Sequence, residues 1–207
     1  MYKHLDTLLA KAKERIRTEY GRIGVMGFDA LNVSGTKKVT GAMFDRLLDA
    51  NETLYLKAAK QAYKSAAEGE EQTEINEEWL SGILAGFSLV TGYLYTREAE
   101  RKRLRLNEMI LTAREFDSRP MLTEGIRRGA NLWWTQTSQY GIEVVDSATL
   151  RAYRDRGVKR VKWITVQDER RCPTCGERHN KIYKIDEVPA KTHYNCRCYL
   201  IPLDVEE

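Results

Sequence analysis

Cysteine is missing from the first 171 residues and then occurs four times, at 172, 175, 196 and 198. Secreted disulfide scaffolds are short chains with cysteines spread through them, so two disulfides fit this distribution poorly. A redox C-x-x-C expects a βαβ thioredoxin-like setting, which the pattern also lacks. The first twenty residues are charged throughout and contain no apolar h-region, which argues against a signal peptide. Nucleophile elbow, H-E-x-x-H and phosphate-binding loop are all absent. The glycines at 21, 24 and 27 follow no strand and lack the Lys-Ser/Thr of a P-loop. With only three histidines in the chain, catalytic equipment is sparse, and no enzyme activity is expected.

What is present is concentrated near the C-terminus. Cys172-Pro173-Thr174-Cys175-Gly176 is answered by His193-Tyr194-Asn195-Cys196-Arg197-Cys198. Two x-x hooks of this kind supply about four N/S donors, the number a tetrahedral zinc ion takes. Gly176 frees backbone N–H groups to face the sulfurs. Cys172, Cys175, His193 and Cys196 are the expected ligands, with Cys198 able to replace His193 or Cys196. Four protein donors leave no position for water, which is the pattern of a structural site. His179, inside the insert, reads as a solvent-facing turn residue.

Charge is segregated although the net value is only +4. Residues 68–78 hold six acids and no base; 97–105 hold five bases against two acids; 151–171 hold eight against three. A basic surface formed by Arg151, Arg154, Arg156, Lys159, Arg160 and Lys162 could meet DNA phosphates or a partner. Residues 79–96 carry no charge, but glycine, serine and threonine dilute their hydrophobicity. They read as a buried bundle helix rather than a membrane span.

Periodicity predicts a mainly helical chain with a small α+β lobe at its C-terminus. Leu5, Leu8, Leu9, Ala12, Ile16 and Tyr20 mark one helix, and Phe44, Leu47, Leu48, Tyr55, Ala59 and Ala62 another. Five glycines break the pattern between them, so 21–41 reads as a loop or arm. A third helix starts near Thr73 to Asn76 and runs to about Phe116. After the break at Ser118-Arg119-Pro120, one helix ends near Gly141, and a shorter one from Ser147 stops at Gly157. Trp133 and Trp134 read as core rather than as a base-stacking platform. Residues 161–166, 181–185 and 199–201 read as strands. The division is a helical region over 1–156 and a zinc-binding lobe over 157–207, too small to fold without metal.

The C-terminal segment resembles phage Mu F-like minor head, or head morphogenesis, proteins. The resemblance rests on Gly157-Val158, Trp163-Ile164-Thr165, Asp168, the C-P-T-C hook, Ile182-Tyr183, Pro189, His193 and Cys196-Arg197-Cys198. It extends more loosely upstream to about Tyr93. Where many relatives have glycine in the hairpin, this chain has His179-Asn180, and asparagine also tolerates positive φ. The resemblance implies a virion protein near the portal, made in the host cytoplasm, that contacts portal or capsid proteins during head assembly. It brings no catalytic residues and no small-molecule substrate.

Three functions follow for comparison: a structural assembly protein, a DNA-binding zinc module, and a zinc hydrolase or nuclease using Asp168 or Glu169. The first is preferred, with DNA contact compatible with it. Arg197, between two cysteines, is expected to pair with Asp168 or Glu169, or with a partner or DNA phosphate.

Overall fold

A computed structural model of the chain describes residues 3–29, 32–67, 78, 81, 100–191, 193 and 196–203. In order come helices α1 (Lys3–Phe28) and α2 (Val33–Ala66), a helical stretch over 100–115 (α3), and α4 (Arg119–Asp155). Then follow β1 (Arg160–Ile164), the six-residue α5 (Pro173–Arg178), β2 (Ile182–Lys184) and β3 (Tyr199–Leu203). The fold is mainly helical with a small antiparallel sheet, as the periodicity predicts. The acidic run and the uncharged 79–96 segment lie almost wholly outside the described residues; among the described helices, none is long and apolar enough to cross a membrane.

The expected loop over 21–41 is a correction: α1 continues through Gly27, and α2 starts at Val33, so only 29–32 connects them. Glycine lowers helix propensity by about 1 kcal/mol, but here packing requires its small size. A Cβ on Gly24 would lie 2.0 Å from Cδ1 of Ile126, and one on Gly27 3.0 Å from Cδ1 of Ile110. The side chain of Asn32 caps α2 by accepting from Gly35 N at 2.8 Å.

The second correction joins two predicted helices. α4 runs unbroken through Gly141 and Ser147, because Ile142, Val144, Val145, Ala148 and Ala152 along this stretch are all buried. It ends where the sequence says. Gly157 has φ +75°, its N–H reaches Arg154 O, and Val158 N–H reaches Tyr153 O, a Schellman closure. α3 ends the same way, with Asp117 at φ 48° and Ser118 N–H on Ala113 O.

The chain divides into two compact units, Met1–Leu8 with Tyr55–Asn76 and Ser138–Glu207, and Leu9–Leu54 with Glu77–Thr137. The core of the second is built on Ile16, Tyr20, Met43, Phe44, Leu47, Ile110 and Trp133. Phe44 stacks edge-on to Trp133 with centroids 5.0 Å apart. Trp133 is therefore core, and Trp134 packs partly against the same cluster. In the first unit, Tyr63 donates to Asp155 at 2.8 Å and Arg156 donates to the carbonyl of Ala66 at 2.8 Å. The sheet, ordered β2-β1-β3, belongs to this unit. Its register sets Lys162 between Ile182 and Ile201 on one face, while Val161 and Trp163 are buried on the other.

Candidate metal centre

The inward series of β1 continues past the strand end to Thr165, which is buried. Its hydroxyl donates to the carbonyl of Cys175 at 2.7 Å and lies 3.4 Å from the sulfur of Cys198. Thr165 thus ties the first hook to the last cysteine. Cys172 is the N-cap of α5, with Pro173 at the first helical position, where proline's missing N–H costs nothing. The N–H facing the Cys172 sulfur is that of Cys175, at 3.3 Å; that of Gly176 goes to the Cys172 carbonyl at 3.0 Å. The expectation that Gly176 would free N–H groups for sulfur is met by its neighbour instead.

All four cysteines are free. Donor atoms of Cys172, Cys175 and His193 lie within 4.8 Å of one another, and so do those of Cys175, Cys196 and Cys198. Cys175 is common to both sets. Its sulfur is 3.2 Å from Nε2 of His193 and 3.8 Å from the sulfur of Cys196. Zinc–sulfur bonds of about 2.3 Å at tetrahedral angles put two sulfurs roughly 3.8 Å apart. The Cys175–Cys196 pair therefore has the sulfur spacing of two ligands on one ion, and thiols with an imidazole are donors that could hold a metal ion.

The three buried thiols are unequal. Burial first, with hydrogen bonding to Cys172 and Cys198, pushes Cys175 up to about 12. A hydrogen bond to Cys198, reinforced by burial, raises Cys196 well above the ordinary thiol value. Cys198 falls to about 5, chiefly because Cys196 hydrogen-bonds to it, with Thr165 contributing. An ion that takes Cys175 and Cys196 as ligands must displace their protons.

Around the cluster stand residues that spacing alone does not reveal. His179 is half-buried rather than solvent-facing, and its Nδ1 accepts the backbone N–H of Thr165 at 3.1 Å. When neutral, the ring thus carries its proton on Nε2. Asn180, the expected tolerant position, has φ 64°. The side chain of Lys191, only 2% exposed, pairs with Asp146 of α4 at 2.8 Å. Arg197 grips Asp168 in a two-pronged fork at 2.5 and 2.6 Å. That is the internal pairing expected for it, and it holds Asp168 below its ordinary carboxylate range.

Of the candidate phosphate contacts, Arg151 pairs with Asp155, Arg154 with Asp186, and Arg156 donates to Ala66. Lys159 precedes β1, and Arg160 and Lys162 lie within it, the first two exposed and the third half-buried. Arg160 and Lys162 share the outer face of the sheet, where their register partners are Lys184, Leu203, Ile182 and Ile201.

The class is a mainly helical protein with a small antiparallel sheet beside Cys/His groups that could hold a metal ion. Residues 121–201 match the family described as Phage Mu protein F like protein, so this chain carries a phage Mu F-like region. The match takes in most of α4, the whole cluster and two residues past Tyr199. No curated protein and no solved structure matches the chain.

Proposed function

We propose that the chain is a structural protein of a phage head, assembled in the host cytoplasm and retained in the virion, where it contacts portal or capsid proteins. The observation that carries this reading is that the Cys/His cluster falls inside the segment matching the Mu F-like family. In this reading 157–207 is a lobe held by one zinc ion on Cys172, Cys175, His193 and Cys196, with Cys198 as the substitute ligand. A sulfur-rich set with one imidazole favours zinc over magnesium or calcium. When bound, the ion cross-links α5 to the segment that leads into β3. Thr165, His179 and the Arg197–Asp168 fork orient that cross-link. Four protein donors make it a structural centre, with no place for a reacting water.

Contact with DNA is a second reading, supported by Arg160 and Lys162, two cations that share the outer face of the sheet. The log of DNA affinity plotted against log salt should then fall with a slope that shrinks when both are replaced.

The head role is tested in virions of the phage that encodes the chain. An epitope tag should be found in purified particles and should co-purify with the portal protein after disruption. Particles that are infectious and free of the tagged chain would refute the reading.

A further inference from the structure

In the second unit, α1, α3 and α4 enclose a cleft of about 450 Å³. Two glycines of α4 make its geometry. A Cβ on Gly125 would meet Sδ of Met109 at 1.4 Å, and one on Gly129 would meet the Tyr20 ring at 2.7 Å. Helical spacing sets Gly125, Arg128, Gly129, Leu132 and Gln136 along one stripe of α4. From α3 come Arg101, Lys102 and Arg105 at the rim, with Leu106 and Met109 behind them. The lining therefore carries four cations and no carboxylate among the described residues.

The cations are partly pre-set. Lys102 is bonded to Gln136 and stands 5.9 Å from the centroid of the Trp133 ring. Arg128 gives its Nε to Glu124 at 2.6 Å, a carboxylate it shares with Arg127. A guanidinium has five N–H donors in a planar fork, so that bond leaves most of its capacity for an anion. A cationic rim over an apolar floor of Leu106, Met109, Leu132 and the Tyr20 ring suits a ligand with charge at one end and a flat, weakly polar body. The volume falls in the range of about 300–1,000 Å³ usual for small-ligand sites.

We propose that this cleft binds a nucleotide, its phosphates on Arg101, Lys102, Arg105 and Arg128 and its base over the apolar floor. The nucleotide is either free or a unit of a DNA strand. The proposal does not depend on the metal reading, since every lining residue belongs to the other unit.

The test is calorimetry on the full chain at about 0.1 M salt, where weak surface electrostatics are largely screened. The probes are adenosine triphosphate, a single-stranded oligothymidylate, and polyglutamate as a carboxylate control. Arg105→Gln combined with Arg128→Gln should weaken binding about tenfold or more. Lys37→Gln combined with Lys38→Gln, exposed on α2 and outside the lining, should leave it within about twofold. Binding of the mononucleotide identifies a free ligand; binding of the oligonucleotide alone identifies a nucleic-acid strand. Both arginines are exposed, so the fold should survive, and Arg105→Lys with Arg128→Lys is a gentler pair. Independently, the bound ligand should protect Arg105 and Arg128, but not the exposed Arg15 outside the lining, from phenylglyoxal in the unaltered chain. No binding of either phosphate probe, equal binding of polyglutamate, or an unchanged affinity in the glutamine pair would overturn the proposal.

Discussion

The hydroxyl of Thr165, just past β1, donates to the carbonyl of Cys175 across ten residues of chain, at 2.7 Å, and both residues are buried. That one bond fixes where the shared cysteine of the two donor sets stands relative to the sheet. Thr165→Val keeps the shape and removes the hydroxyl. The Cys175 carbonyl then loses its partner, at a cost of about 1–3 kcal/mol. Zinc affinity should fall about 10- to 100-fold, as for other residues that orient metal ligands. Urea unfolding and competition with a chromophoric chelator measure the two effects; an affinity unchanged in Thr165→Val would show that the bond does not position the ligand.

The Arg197–Asp168 fork lies nearer solvent, with side chains 36% and 30% exposed, so salt should screen it. Asp168→Asn is expected to destabilise the lobe less than Thr165→Val does, and high salt should erase the difference from the unaltered protein. The sign with pH follows from the lowered Asp168 value. Its contribution is present above the unfolded carboxylate pKa and is lost as pH falls through the lower folded one. The stability gap between the two proteins should therefore close on acidification. A gap that widens below pH 4 would contradict this.

Tyr153 anchors α4 to β3 by donating to the carbonyl of Leu200 at 3.2 Å. Burial pushes its hydroxyl up to about 12, against a smaller opposing effect of Arg156. Because the folded value is raised, the stabilisation is complete below the unfolded pKa of about 10 and disappears as pH rises through the folded value. In an ultraviolet titration, Tyr153→Phe should remove a component that ionises near pH 12, and should cost about 1 kcal/mol at neutral pH. Loss of a component near pH 10 instead would place Tyr153 in water.

Two helical glycines should respond in opposite directions. Gly24→Ala drives a methyl into Ile126 and should destabilise by about 1–3 kcal/mol in spite of its better helix propensity. Gly41→Ala meets nothing within 4 Å and should stabilise by about 0.5–1 kcal/mol. Thermal melts of both decide it. If both stabilise, the close approach of α1 and α4 at Gly24 is not tight.

These glycines also show where sequence reading stops. Gly24 and Gly27 look like breakers because propensity is local, whereas their function is to admit Ile126 and Ile110 from about a hundred residues away. α4 was divisible at Gly141 for the same reason. The cysteine hooks, by contrast, were legible, since metal hooks are written in short spacings: Cys175 meets Cys172 and His193 in one donor set and Cys196 and Cys198 in another. The strands were equally plain from β-branched alternation, as were the Gly157 stop and the Asn180 turn. His179 was misread as a surface residue because its partner, the N–H of Thr165, is a backbone group that no side-chain pattern announces. Thr165 itself carried a weak signal, as the third member of the inward series after Val161 and Trp163.

Whether a metal ion holds the lobe is tested by elemental analysis of the purified chain. One zinc per chain is expected, lost in Cys175→Ser, which breaks both donor sets, and lost in Cys172→Ser and His193→Ala. Retention in Cys198→Ser would assign the fourth position to Cys196. A chain that purifies folded without metal, its amide protection over 160–203 unchanged by chelator, would show that no ion holds the lobe.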